Sequence, residues 1–165
     1  VIKVTHKGNK TELKGYNSDV IGFTQSIEPL LERYHKKALV LGTGGASKAI
    51  IFSLKSLGIE TLTVSRYERH GCVRYEDITP EMIKEYNVIV NCTPCGMYPQ
   101  TDDCPNLPYE AMDSHTLLYD LIYNPDETLF LKKGKAQGAT VKNGLEMLLL
   151  QAFASWNFWN SDADK

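Results

Sequence analysis

One stretch, Ala38-Leu39-Val40-Leu41-Gly42-Thr43-Gly44-Gly45-Ala46-Ser47-Lys48-Ala49, limits what this chain can fold into more than any other. Apolar residues followed by glycines and then by small helix formers read as a buried strand turning sharply into a helix. Gly42 permits the tight turn, and Gly44 lets the backbone approach a pyrophosphate with no Cβ in the way. Ser47 takes the third place of a G-x-G-x-x-(G/A) pattern, where close helix packing needs a small side chain. The free N–H groups and the dipole at the helix start favour an anion. Gly42, Thr43, Gly44, Gly45 and Ala46 are therefore candidate pyrophosphate contacts.

A chain of 165 residues has room for one full core and is short for two. With 42% hydrophobic and 23% charged residues it is of ordinary globular composition. A formal charge of −2 gives no electrostatic reason to expect nucleic acid or an anionic membrane. No apolar run reaches the length of a membrane span and no signal segment opens the chain, so a cytoplasmic location is the expectation. Val1 is not a methionine, and residues 1–5 already alternate like a strand. The chain thus reads as a fragment. Of the four cysteines, Cys92-x-x-Cys95 has the spacing of a redox or metal pair. The histidines are scattered, however, and Pro94 and Gly96 make this stretch a loop, so reduced thiols and no metal are expected.

In chain order, strands at 1–5 and 11–14 flank a Gly- and Asn-containing turn, a hairpin. Apolar residues at Val20, Phe23, Ile27, Leu30, Leu31 and Tyr34 then recur on one helical face, with Ser18 or Asp19 available as the cap and a kink or restart expected at Pro29. The helix after the glycine turn runs to about residue 57 and stops at Gly58. Strands are expected at 61–64, 87–91, 116–120 and 139–141, with helices from 79 and over 128–137 between them. This alternation predicts an α/β fold, a Rossmann-type doubly wound parallel sheet with helices on both faces. Residues 1–35 form the hairpin and linking helix, 36–143 the nucleotide-binding core, and 144–160 an apolar last helix followed by a polar tail at 161–165.

The end of the second core strand selects the nucleotide. An acid there would hydrogen-bond ribose hydroxyls and repel a 2′-phosphate, but this chain has Ser65-Arg66-Tyr67-Glu68-Arg69. Arg66 can stack on adenine and pair with a phosphate, and Ser65 can add a hydrogen bond, so NADP (NADPH) is preferred to NAD. The plainer reading of Arg66 and Arg69 is surface residues at a strand end.

Six motifs now stand in one order: Gly15-Tyr16-Asn17-Ser18-Asp19 with Gly22-Phe23; the glycine turn; Ser65-Arg66; Asn91-Cys92-Thr93 with Gly96-Met97; Tyr119-Asp120-Leu121-Ile122-Tyr123-Asn124-Pro125; and Asn143-Gly144-Leu145-Glu146-Met147 with Gln151. Together they cover nearly the whole chain and resemble the C-terminal, NADP-binding domain of shikimate dehydrogenase. The resemblance implies an NADPH-linked reduction of 3-dehydroshikimate to shikimate, on the way to aromatic amino acids. It also implies an N-terminal domain, absent here, that supplies most substrate contacts and a catalytic lysine, so the chain alone is expected to be inactive. Asp19 matches the family's catalytic, substrate-binding aspartate, Tyr123 and Gln151 match substrate-contacting positions, and Leu121 and Gly144 match positions lining the nicotinamide. Thr93, with Pro94 where the family commonly has serine, is placed on the cofactor. Departures lie at Ser18 for threonine and at Ser65 and Tyr67 around Arg66. His70 aligns with a further arginine of the family, and Arg69 stands one place early. An NAD-using quinate/shikimate relative and a non-catalytic nucleotide-binding module are the alternatives. Met147, Leu148, Phe153, Trp156, Phe158 and Trp159 cannot all face one sheet, so exposed apolar surface and homodimerisation or looser self-association are expected.

Overall fold

The structure, a computed structural model, describes residues 1–160; the tail at 161–165 lies outside the described residues. It opens with an antiparallel hairpin, β1 (Ile2–Lys7) and β2 (Lys10–Gly15), closed at Gly8-Asn9 with Gly8 at a positive φ of 60°. Helix α1 (Ser18–Ile27) follows, and its cap is Asn17, not Ser18 or Asp19. The Asn17 side chain accepts the N–H groups of Asp19 at 3.1 Å and Val20 at 3.4 Å. Three adjacent residues could each cap a helix, and only the backbone turn decides among them. Pro29 sits in a short 3-10 turn, Glu28–Leu30, that closes the helix rather than carrying it to Tyr34, which is exposed.

The body is one parallel sheet: β3 (Lys37–Leu41), β4 (Glu60–Ser65), β5 (Cys72–Arg74), β6 (Val88–Asn91), β7 (Leu117–Asp120) and β8 (Thr140–Lys142). Its order is β5-β4-β3-β6-β7-β8, every neighbouring pair parallel. The chain first builds outward from β3 to β5 and then returns to the other side of β3, so strand order reverses between β3 and β6. Strand β5 is an addition to the expected set. At three residues it is too short to show a period, and residues 66–71 reach it from β4 without a helix.

Alternation along the central strands sorts side chains onto two faces. Leu39, Leu41, Ile89 and Leu118 point to one core, completed by Ile83 of α3 (Pro80–Glu85) and by Phe130 and Leu131 of α4 (Leu129–Ala136). Ala38, Val40, Val88, Val90, Leu117 and Tyr119 point to the other. Phe23 and Ile27 of α1, Ile50 and Leu54 of α2 (Gly45–Ser56) and Met147 of α5 (Leu145–Asn160) complete that second core. A sheet buried on both faces needs apolar residues at consecutive positions, which is why β3 and β6 read as continuous apolar runs.

Helix α5 exceeds what one core can absorb. Leu148, Leu149, Phe153, Trp156 and Trp159 are exposed, while Met147 is buried and Phe158 stacks on Tyr16 with ring centroids 4.0 Å apart. The Trp159 indole N–H donates to the Ile2 carbonyl at 3.2 Å, joining the last helix to the hairpin. Among the described residues no helix is long and apolar enough to cross a membrane.

Candidate functional site

The reversal of strand order leaves a crevice outside the carboxyl ends of β3 and β6, where neighbouring connections leave toward opposite faces of the sheet. The glycine turn forms its floor. Gly42 has φ 106°, its N–H donates to the Val64 carbonyl at 2.9 Å, and a Cβ there would stand 2.9 Å from Thr93 Cγ2. Both the turn and the close approach of the neighbouring loop therefore require glycine. Gly44 and Gly45 are exposed at the N-terminus of α2, and a Cβ on either would meet nothing within 4 Å. Backbone N–H groups at a helix start, with open space in front, suit a pyrophosphate. Ser47 is buried and its hydroxyl donates to the Gly44 carbonyl at 2.7 Å, fixing the turn from behind.

The opposite wall, after β6, is built from side chains. Asn91 and Asp120 are register partners at the ends of β6 and β7, both fully buried, and the Asn91 amide donates to Asp120 Oδ1 at 3.0 Å. The same amide nitrogen donates to the Cys95 carbonyl at 3.4 Å. Asn91 Oδ1 accepts the Thr93 N–H at 3.1 Å and the Thr93 hydroxyl at 2.7 Å, and Thr93 Oγ1 accepts the Cys95 N–H at 3.2 Å. A turn over 94–97 follows, closed by the Met97 N–H on the Pro94 carbonyl at 3.1 Å with Gly96 at φ 93°. Asp120 Oδ1 also accepts the Ile122 N–H at 3.1 Å, and Oδ2 accepts the Thr128 hydroxyl at 2.6 Å. Burial pushes the Asp120 carboxyl up to about 6, against the pull of these donors.

Beside this wall lies a cavity of about 530 Å³, lined among others by Arg66, Arg74, Tyr75, Thr93, Pro94 and Cys104. Thr93 is common to the cavity and the turn. Arg66 is exposed at the end of β4 with its guanidinium carbon 5.8 Å from the Tyr67 ring centroid, and Arg74 comes from β5, ion-paired with Glu76. His70, which aligns with the family's further arginine, and Arg69 one place before it are exposed and do not line the cavity. Arg74 does, because the helix-free connection returns the chain to the sheet edge at once. Ser65 is 4% exposed and its hydroxyl accepts the Tyr67 N–H at 3.2 Å. All four cysteines are free, and burial pushes the thiols of Cys92 and Cys95 up.

Two further pairs of candidate residues meet. Gln151 Nε2 donates to Asp19 Oδ1 at 2.9 Å, linking the start of α1 to α5 across 132 residues. Gly22 allows this: a Cβ there would stand 2.7 Å from the Met147 carbonyl and 2.8 Å from Gln151 Cγ. Gly144 lies against Leu121 so closely that a Cβ would fall 2.1 Å from the Leu121 carbonyl oxygen, and its N–H donates to the Ile122 carbonyl at 3.0 Å. Tyr123 is half exposed, two residues beyond Leu121. The residues that sequence reasoning passed over are Asp120, Thr128 and Arg74. Asp120 was visible within its motif, but nothing local marks it as the acceptor for the Asn91 amide 29 residues before it.

No protein-family model matches the chain. Its sequence is 36% identical to the shikimate dehydrogenase (NADP(+)) of Caldanaerobacter subterraneus subsp. tengcongensis over 91% of this chain and 59% of that protein. It is also 36% identical to the enzyme of the same name from Crocosphaera subtropica, over 91% of this chain and 60% of that protein. The crystal structure of shikimate 5-dehydrogenase from Thermus thermophilus in complex with NADP(H) and shikimate superposes with a TM-score of 0.77. That match has 30% identity and covers 90% of this chain and 58% of that one. In sequence and in fold the chain is thus similar to shikimate dehydrogenases, and it spans about three fifths of the length of these relatives.

Proposed function

We propose that this chain is the cofactor-binding part of an NADPH-dependent shikimate dehydrogenase, which reduces 3-dehydroshikimate to shikimate together with an N-terminal substrate domain of the kind the family resemblance implies. The observation that carries the reading is the place of the glycine turn. It lies at the strand-order reversal with Gly44 and Gly45 open in front of α2, and Thr93 joins it to a cavity holding Arg66 and Arg74. The exposed backbone at 42–46 fits a pyrophosphate, and the guanidinium groups of Arg66 and Arg74 fit a 2′-phosphate beside it. Leu121 and Gly144 then line the nicotinamide end.

When bound, NADPH supplies a hydride to the ketone. The chain's own residues orient the acceptor and hold its protons. Asp19, fixed through Oδ1 by Gln151, can accept a substrate hydroxyl with its other oxygen, and Tyr123 offers a half-exposed phenol. The pairing keeps the carboxylate in one orientation, which a positioned acid–base group needs. A cytoplasmic location and contact of the exposed α5 face with a second domain or a second copy go with this reading.

Calorimetric titration of the chain with NADPH and with NADH tests it. The expected result is tighter binding of NADPH, with the preference lost in Arg66→Ala and reduced in Arg74→Ala; equal affinities that neither substitution changes would overturn the cofactor assignment. In this reading the chain alone does not turn over 3-dehydroshikimate, and measurable NADPH oxidation with that substrate would overturn the need for a second domain.

A further inference from the structure

Asp120 is a fully buried acid that the proposed reaction does not use. A carboxylate taken out of water is costly unless each oxygen is matched by donors. Here the matching donors come from three separate segments: Asn91 from the end of β6, the Ile122 N–H from the connection after β7, and Thr128 from the cap of α4. Asn91 is in turn fully used, both of its amide atoms making two bonds each, to Asp120 and Cys95 on the nitrogen and to Thr93 twice on the oxygen. Thr93 then lines the cavity with its Cγ2 methyl against the Gly42 turn. An unbroken chain of contacts therefore runs from Asp120 through Asn91 and Thr93 to both walls of the crevice.

We infer that Asp120 is the positioning residue of the cofactor site: through Asn91 it fixes Thr93 and the turn over 94–97 in the conformation that seats the dinucleotide. The inference rests on the cofactor reading above. Asp120 touches neither cofactor nor substrate in this account, and it acts by setting the orientation of the Asn91 amide. A neutral, apolar residue in its place would leave the Asn91 nitrogen, the Ile122 N–H and the Thr128 hydroxyl without their acceptor. The titratable groups that sense its charge are Cys92 and Cys95 on the β6 connection and Tyr109 on the 3-10 turn before β7, each pushed up by burial and so neutral near pH 7. Asp120 is thus the charged member of this cluster.

The test uses the whole chain and two readouts, NADPH affinity by calorimetry and hydrogen exchange at the Thr93 and Cys95 amides. Asp120→Ala is expected to weaken NADPH at least tenfold and to lose protection at both amides. Asn91→Asp keeps the volume but sets two carboxylates face to face. Its affinity relative to wild type is expected to be low at pH 8 and to recover toward pH 5.5, where the pair can share a proton. The swapped pair Asn91→Asp with Asp120→Asn restores one amide and one carboxylate and is expected to regain most of the loss at pH 8. A role in packing alone predicts no such recovery with pH and no rescue by the swap, and either absence would overturn the inference, as would wild-type affinity and protection in Asp120→Ala. Should Asp120→Ala fail to fold, the two volume-conserving variants decide the matter. If the wild-type chain binds no NADPH, the cofactor reading fails by itself and exchange alone decides: protection lost in the variants upholds the positioning role, and protection kept removes it.

Discussion

The two walls of the crevice are made on opposite plans. After β3 the wall is backbone and empty space, with Gly44 and Gly45 facing nothing within 4 Å. After β6 and β7 the wall is filled, by the Asn91–Thr93–Asp120 hydrogen bonds and by Gly144 pressed on the Leu121 carbonyl. The same residue type therefore serves contrary ends. Gly144 is small so that two backbones can touch, whereas Gly44 faces open space. The sequence shows both as glycine; only the structure separates a close backbone contact from open space.

Breaking the filled wall is expected to cost the most stability. Gly144→Ala places a methyl 2.1 Å from a main-chain oxygen that cannot swing aside, and a loss of about 3 kcal/mol is expected, seen as a fall in melting temperature of roughly 6–12 °C. An unchanged melting temperature would show that the Leu121 connection yields freely. Next comes the buried acid. The Asp120 carboxyl titrates at about 6 in the fold against an ordinary 3.8, so the fold favours its protonated form. Stability from this group is fully present below the ordinary value and is lost as pH rises through about 6, by on the order of 3 kcal/mol. Asp120→Asn removes that slope, and urea unfolding of both proteins at pH 4.5 and 7.5 measures it. His35 works in the other direction: burial holds its imidazole below the ordinary value, so its stabilisation is present above pH 6.5 and declines as pH falls. The difference between variant and wild type at each pH cancels the His35 contribution.

Thr93→Val removes the hydroxyl that donates to Asn91 and accepts from Cys95, with an expected loss of about 1 kcal/mol in urea unfolding together with weaker NADPH binding. The open wall gives the smallest effect on stability. Gly44→Ala, at a φ of −80° that alanine tolerates, is expected to change unfolding by about 0.5 kcal/mol while weakening NADPH at least tenfold. If that variant binds NADPH as the wild type does, the open wall is not where the pyrophosphate lies.

The open wall was legible in the sequence because its chemistry is local: consecutive glycines between an apolar run and small helix formers have few other readings. The parallel sheet followed from alternation, and the helix starts at 79 and 128 from the residues around Pro80 and Leu129, where the structure adds the caps Thr79 and Thr128. The filled wall was not legible in the same way. Asp120 is 29 residues from Asn91, and only pairing of β6 with β7 brings them to one register. Arg74 was hidden because β5 is too short for periodicity to reveal, although it lines the cavity that Arg69 and His70 do not reach. The Asn17 cap was obscured by two equally capable neighbours.

Every polar atom of the Asn91 amide is engaged within the protein itself, so the freedom of the 93–97 segment is surrendered during folding and not at encounter. Association on that side then meets a surface of fixed shape and carries little ordering penalty. Under the proposed cofactor assignment, the entropic cost of recognition shifts onto the dinucleotide's own torsions and onto the exposed guanidinium of Arg66, the long side chain at the cavity's rim.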